Sequence, residues 1–305
     1  MTGYLLRRVL LALPLLIGAA TLVFLLIHLT PGDPAQVMLG PGARPVDVDA
    51  LRHRLGLDRP LLEQYGQFLT GLAHFNLGTS IRYQDAVTAL LCERFPATAA
   101  LAAATMLLAL LVAMPAGIAA ALEPGGAIDR MTAVWAAVAL ALPSFWLGPL
   151  LVLVFSIRLD WLPVSGMDAP EAIILPAATL AFGIGALVAR LLRSTLVGEA
   201  AAVYVRAAQA RGRGRVAAVL RHALRNAAGP VLTTVALQTG SLLTGAILTE
   251  TIFAWPGLGR LMVRAISHRD YPLVQGCVLL FAMLYVGAHL VCDAARAALD
   301  PRLAD

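Results

Sequence analysis

The chain has 305 residues, 59% of them apolar and only 13% charged, with a mean hydropathy of +0.80. A soluble domain carries about 25% charged residues to keep its surface wet, so an ordinary soluble enzyme or binding module is excluded. All 23 basic residues behind the net charge of +5 are arginine, and a P-loop needs a lysine on the nucleotide phosphates, so this polypeptide is not itself a P-loop ATPase. The arginines cluster beside apolar runs, as the positive-inside rule requires. The partner of this charge is therefore the lipid bilayer, not a nucleic acid.

Arg7 and Arg8 precede an apolar run over residues 9–29, longer than the roughly 7–15-residue core of a cleavable signal. This predicts a first transmembrane helix with its N-terminus in the cytoplasm. Residues 31–94 are polar, with acids nearly balancing arginines and with Pro31, Pro34, Pro41, Pro45 and Pro60 as punctuation. A translocated loop lacks positive bias in this way, and 47–57 is expected to form a short helix. A second span covers 97–122, with Pro115 a kink, and a turn at Glu123-Pro-Gly-Gly126 closes on Asp129 and Arg130. The third, 132–157, is interrupted at Leu142-Pro-Ser-Phe145 and leaves past Trp161, an interfacial anchor. The fourth covers 173–192.

In the loop that follows, Arg190, Arg193, Arg206, Arg211, Arg213, Arg215, Arg221 and Arg225 face one acid, Glu199. Counting crossings from an inside N-terminus also puts this loop in the cytoplasm. Spans over 230–248 and 273–291 return Arg296 and Arg302 inside. The reading is an all-α membrane protein of six transmembrane helices with both termini in the cytoplasm. Residues 1–30 are the tail and first helix, 31–94 a large extracytoplasmic loop, and 95–305 a five-helix core containing the cytoplasmic loop 193–228.

No catalytic or metal-binding constellation stands out. The six histidines are scattered, and Cys92, Cys277 and Cys292 show neither ligand spacing nor a redox pair. His289, inside the sixth span, is a candidate ligand or proton relay, against which a lone histidine can be satisfied by a helix backbone. In the fifth span Thr234, Gln238, Ser241 and Gly245 fall on one helix face. Such a stripe is either a small-residue packing seam or the lining of a water-filled path. Glu250 follows at the outer end, and the segment up to Pro272 reads as a short interfacial or re-entrant element.

An ordered series of motifs points further: Tyr4-x2-Arg7-Arg8, Pro31-Gly-Asp-Pro34, Leu55-Gly-Leu-Asp58-x-Pro60, Leu77-Gly-Thr-Ser80, Arg94-x-Pro96-Ala-Thr98, Pro143-Ser-Phe-Trp146-Leu-Gly148 and Trp161-Leu-Pro163. It continues with Ile174-Leu-Pro176-Ala, Tyr204-Val-Arg206-Ala-Ala, Arg221-His-Ala-Leu-Arg225-Asn226, Phe253-Ala-Trp-Pro-Gly-Leu-Gly259, Arg269-Asp-Tyr-Pro272 and Ala298-Leu-Asp-Pro301-Arg302. Over nearly its whole length the chain resembles the B-type inner-membrane permease subunits of dipeptide, oligopeptide and nickel ATP-binding-cassette importers.

The resemblance implies the type I importer permease fold in the bacterial inner membrane and transport by alternating access. It implies a homologous second permease forming a heterodimer with this chain, two cytoplasmic ATPases that hydrolyse the ATP, and an extracytoplasmic substrate-binding protein. This chain would bind no cofactor. A cytoplasmic helix would dock on an ATPase through Tyr204, Arg206, Ala207, Ala208, Arg211 and Gly212, with Ala207-Ala208 and Gly212 at the family's Ala-Ala-x3-Gly positions. Without the resemblance, the same arginines could equally anchor the loop to anionic lipid. Val203 stands where the family commonly has an acid, and Arg206 where the broader motif has Glu. Di- or oligopeptides are the expected substrates, with nickel or a metal–chelate complex the alternative. An ion-coupled secondary transporter is the alternative from another class.

Overall fold

The structure, a computed structural model, describes residues 2–29, 33–40 and 42–299. Pro31 and Gly32, Pro41, and the Asp300-Pro301-Arg302 end of the last motif lie outside the described residues. Regular structure among the described residues is helical, apart from one antiparallel bridge between Thr79 and Ala86.

Helix α1 (Thr2–Leu29) is followed by α2 (Pro34–Leu39), α3 (Pro45–Leu55) and α4 (Leu61–Ala73). Of the three helices after α1, the sequence predicts only α3. Pro34 and Pro45 open their helices in the first turn, where the missing N–H is not needed. Helix α4 lies against α1: the ring of Phe24 is 5.2 Å from that of Tyr65 and 5.6 Å from that of Phe68. The Thr21 and Tyr65 hydroxyls are 2.7 Å apart.

Helix α5 (Val87–Leu122) begins well before the predicted second span, so residues 87–94 belong to it and not to a loop. It continues unbroken past Pro96 and Pro115. Its 36 residues extend about 54 Å at 1.5 Å per residue, against about 30 Å of hydrocarbon, so its outer turns stand clear of the bilayer. Helices α6 (Ala127–Ala141) and α7 (Ser144–Leu151), the latter extended by a π-helical turn Val152–Arg158, meet at 106°. The break is written in the sequence. Leu142 precedes Pro143 and is extended at φ −94° and ψ 113°, because the proline ring excludes the helical conformation from the residue before it.

A 3-10 turn, Pro170–Ile173, leads into α8 (Ile174–Ala200). The short helices α9 (Val203–Ala210) and α10 (Arg215–Ala218) follow, and a π-helical turn Val219–Ala223 enters α11 (Leu224–Gly245). Helices α12 (Ile247–Ile252), α13 (Leu258–Ser267) and α14 (Tyr271–Leu299) complete the order.

Helices α5 and α8 form the most extensive pair in the bundle. Buried alanines line their seam, among them Ala109, Ala113, Ala186 and Ala189. A Cβ on Gly117 would lie 2.8 Å from the Ala189 carbonyl oxygen and 3.1 Å from Leu192 Cδ2. In lipid, helices associate by van der Waals packing, so small residues that admit close backbones replace the large core residues of soluble proteins. Leucines 11, 15, 22, 107, 111 and 140 are exposed instead, which hydrocarbon tolerates and water does not.

Among the described residues, three helices are long and apolar enough to cross a membrane: Val87–Leu122, Pro170–Ala200 and Tyr271–Cys292. The number is four if the bent α6–α7 pair is one span, and α1 adds a shorter apolar stretch, Leu10–Leu25. The predicted first and fifth spans correspond to α1 and α11. His289 on α14 is satisfied within its own helix, Nδ1 lying 2.9 Å from the Tyr285 carbonyl oxygen and the ring 4.2 Å from that of Tyr285.

Candidate coupling surface and translocation path

Helix α9 packs on α8 and the π-helical turn Val219–Ala223 at one end of the bundle. Val205 and Ala208, three residues apart and so on one face, are fully buried with Leu192, Leu196, Val219 and Ala223. The opposite face is open: Val203, Arg206, Ala207 and Arg211 are exposed. The expected coupling residues therefore divide. Arg206, Ala207, Arg211 and Gly212 face outward, whereas the methyl of Ala208 packs inside this chain, so its small size serves internal packing.

The end of α9 is set by Gly212. Its N–H donates to the Gln209 carbonyl at 2.9 Å, and the Arg213 N–H reaches the Ala208 carbonyl at 3.3 Å. This paired closure needs a left-handed residue, and Gly212 has φ +88°. Tyr204 ties the helix to its neighbours: its hydroxyl donates to the Glu199 carboxylate at the end of α8, and Asn226 Nδ2 of α11 donates to that hydroxyl at 2.8 Å. Removal from water, and then the adjacent Glu199 carboxylate, hold the Tyr204 phenol above its usual pKa.

A second tie, between Asp129 and Arg193, was not legible in the sequence, where both read as ordinary loop charges. Arg193 Nε donates to Asp129 Oδ1 at 2.7 Å and Nη2 to Oδ2 at 2.8 Å, while the Gly125 N–H reaches Oδ2 at 2.7 Å. This two-pronged pairing is the strong form of a guanidinium–carboxylate contact. It clamps the turn between α5 and α6 to the C-terminal part of α8. Asp129→Ala is expected to lower the thermal midpoint and to make a following Arg193→Ala nearly silent. Additive losses in the double-mutant cycle would show the two side chains to be uncoupled.

The polar stripe of α11 borders open space. Gln238 and Ser241 line a cavity of about 270 Å³, together with Ser144 at the α6–α7 break and Thr179 and Gly183 of α8. Thr234, one turn earlier in the helix, donates its hydroxyl to the Pro230 carbonyl at 3.1 Å, and Gly245 closes the helix. The cavity wall is uncharged.

Glu250 stands apart from that stripe. It is 1% exposed, and its carboxylate is held by this chain's own groups. Thr98 Oγ1 of α5 donates to Oε1 at 2.6 Å, the Leu258 N–H donates to Thr98 Oγ1 at 2.8 Å, and the Arg260 N–H reaches Oε2 at 3.1 Å. The first turn of α13 is thus capped by a remote carboxylate, because Gly257 at its N-cap has no side chain to offer. Trp255 Nε1 adds a bond to the Ala97 carbonyl at 2.8 Å. The motifs around Thr98 and Gly257 therefore meet in one lock, in which Glu250 has a structural part.

The family profile of the binding-protein-dependent transport system inner membrane component matches residues 113–305, and that of the N-terminal part of the same membrane component matches residues 1–102. The glutathione transport system permease protein GsiC of Salmonella paratyphi A (strain ATCC 9150 / SARB42) is 40% identical over 303 residues, covering 99% of this chain and 99% of that protein. The protein of the same name from Escherichia coli (strain K12) is 38% identical over the same span. The fold is similar to that of a chain of the inward-facing MetNI methionine ABC transporter, with a TM-score of 0.54 at 15% identity over 69% of this chain and 96% of that one. An ion-coupled secondary transporter is thereby set aside. The chain is a multi-pass transport component without an ATPase domain, binds no cofactor and relies on ATP hydrolysis by a partner. It belongs to the inner-membrane permease family of binding-protein-dependent transport systems.

Proposed function

We propose that this chain forms half of the translocation path of an importer of short peptides, and that glutathione is its substrate. The observation that carries the substrate is the 40% identity to the glutathione permease of Salmonella paratyphi A, sustained over 303 residues. Nickel and metal–chelate complexes gain no support from relatives named for glutathione. The cavity beside Gln238 and Ser241 is lined by no histidine, cysteine or carboxylate among the described residues, so it suits a polar, flexible solute better than a bare nickel ion, which favours imidazole.

The proposed topology has six crossings, with both termini in the cytoplasm. Long-range hydrogen bonds support it by falling into two groups. Gly125, Asp129 and Arg193 meet at one end, and Ser80 with Asp270, Thr98 with Glu250, and Gly166 with Phe253 at the other. A homologous second permease completes the path around the α11 face, two ATPases supply closure, and an external receptor delivers the peptide. Val203, Arg206, Ala207 and Arg211 present an apolar and basic surface to the ATPase, in keeping with the departures from the acidic family motif.

The test is uptake by the transporter reconstituted in liposomes with its receptor and ATP. Glutathione should accumulate only with both, and Ser241→Leu, which narrows the cavity, should cut the rate by about tenfold or more without loss of assembly. Unchanged uptake by that variant removes the α11 face from the path. Absent glutathione uptake removes the substrate.

A further inference from the structure

Two clefts lie side by side at the outer end, remote from the α11 cavity. One, of about 400 Å³, is bounded by α4, residues 77–79 and the start of α14. The other, of about 420 Å³, is bounded by α3 and residues 78–84. Arg54, Gly78 and Thr79 line both.

Arg54 differs from the other arginines of α3 and its N-cap. Arg44 is paired with Asp47, and Arg52 with Asp33 and Asp49. The guanidinium of Arg54, exposed on the last turn of α3, has no hydrogen bond or ion pair among the described residues. Gln67 lines the same cleft, and Asn76 commits its oxygen to the Gly78 N–H at 3.0 Å, which leaves its amide hydrogens as donors. Phe68, Leu77 and Leu279 supply an apolar wall.

The floor is held rigidly. Asp270, 1% exposed, accepts from Ser80 Oγ at 2.5 Å and from the Arg82 N–H at 3.1 Å, and the Leu273 N–H lies 3.3 Å from its other oxygen. The Val87 N–H fixes the Gly78 carbonyl at 3.0 Å. Three motifs that transport coupling leaves unused converge here. Leu57, the segment Leu77 to Thr79, and Pro272 all line the first cleft.

An unpaired guanidinium matches a carboxylate in two-pronged geometry. Amide donors beside an apolar wall suit a peptide backbone and side chain, and the volume lies within the roughly 300–1,000 Å³ of small-molecule sites. We propose that the Arg54 cleft is an entry site that takes a short peptide by its carboxylate before the peptide passes to the α11 path. The inference rests on the peptide-importer reading and on the extracytoplasmic placement of residues 31–94.

The experiment uses the complete transporter in liposomes, with glutathione and its carboxyl-esterified form as probes. Arg54→Gln should raise the glutathione concentration for half-maximal uptake by about tenfold, the scale of one charge-assisted bond. Arg54→Lys should fall between it and the native chain. The ester should be affected little, and ATPase stimulation by the empty receptor should be unchanged. Native glutathione uptake with no response to Arg54→Gln overturns the entry site and leaves the transport reading standing. Lost stimulation by empty receptor also overturns it, since Arg54 would then be receiving the receptor itself. If the native transporter carries neither glutathione nor trialanine, the transport reading falls and the entry site with it.

Discussion

Glu250→Leu is expected to destabilise the outer end of the protein by about 3–5 kcal/mol, since removing one member of a buried polar network leaves its partners unpaired. Thr98 Oγ1 would lose its acceptor and the Arg260 N–H would face an apolar side chain. The first turn of α13 would also lose the negative charge at its positive end. Glu250→Gln retains an acceptor oxygen but turns amide hydrogens toward donors, so about 1–2 kcal/mol is expected. Gly257→Ala tests the same lock from the other side. A Cβ there would lie 2.3 Å from Glu250 Oε1, so the carboxylate must leave its place even though its residue is untouched. Thermal unfolding in detergent and protease sensitivity of α13 report the result. An unaltered midpoint in both Glu250→Leu and Gly257→Ala refutes the lock. If Glu250→Gln instead changed uptake at undiminished stability, the carboxylate would belong to the path.

The second large effect is expected at the cytoplasmic end, and it should appear in transport more than in stability. Gly212→Glu places a side chain on a residue at φ +88°, a left-handed conformation that costs a non-glycine residue about 1–2 kcal/mol. Nothing lies within 4 Å of a Cβ built there, so the bundle itself is undisturbed. The new carboxylate instead enters the outward surface formed with Arg206, Ala207 and Arg211. Membrane insertion and the thermal midpoint should be nearly native, while uptake is lost and ATPase activity no longer responds to the loaded receptor. Normal uptake by Gly212→Glu would falsify the docking assignment. Gly212→Ala separates the two causes: it carries the backbone strain without the charge, and uptake should be reduced only modestly.

Much of this molecule was legible in the sequence because hydrocarbon imposes simple demands. Long apolar runs must be helices in lipid, where no water can satisfy a bare backbone. Arginines gather in one loop beside the spans, and Pro143 must break the helix that precedes it. The absence of lysine established that this chain is not itself a P-loop ATPase, and the resemblance put Gly212 at the end of a short helix. The stripe of Gln238 and Ser241 was visible from its helical spacing, although a packing seam and a path lining look alike until the opposing helix is known.

Tertiary structure decided what depends on partners distant in the chain. Asp129 and Arg193 are 64 positions apart, Thr98 and Glu250 152, and Ser80 and Asp270 190. No local periodicity marks such pairs, and charge patterns along the chain do not match one member to the other. The direction of a short helix was likewise hidden. Val205 and Ala208 face inward and Arg206 and Ala207 outward because α9 lies on the base of α5, α8 and α11. Glu250 shows the limit most plainly. Its position in the chain suggests the mouth of a path, but the glycines at 257 and 259 let the backbone close over its carboxylate, and burial with good donors makes it a cap. Composition and spacing determined that this chain crosses a membrane, since that follows from solvation alone. Which polar groups serve transport and which hold the helices together depended on geometry across the bundle.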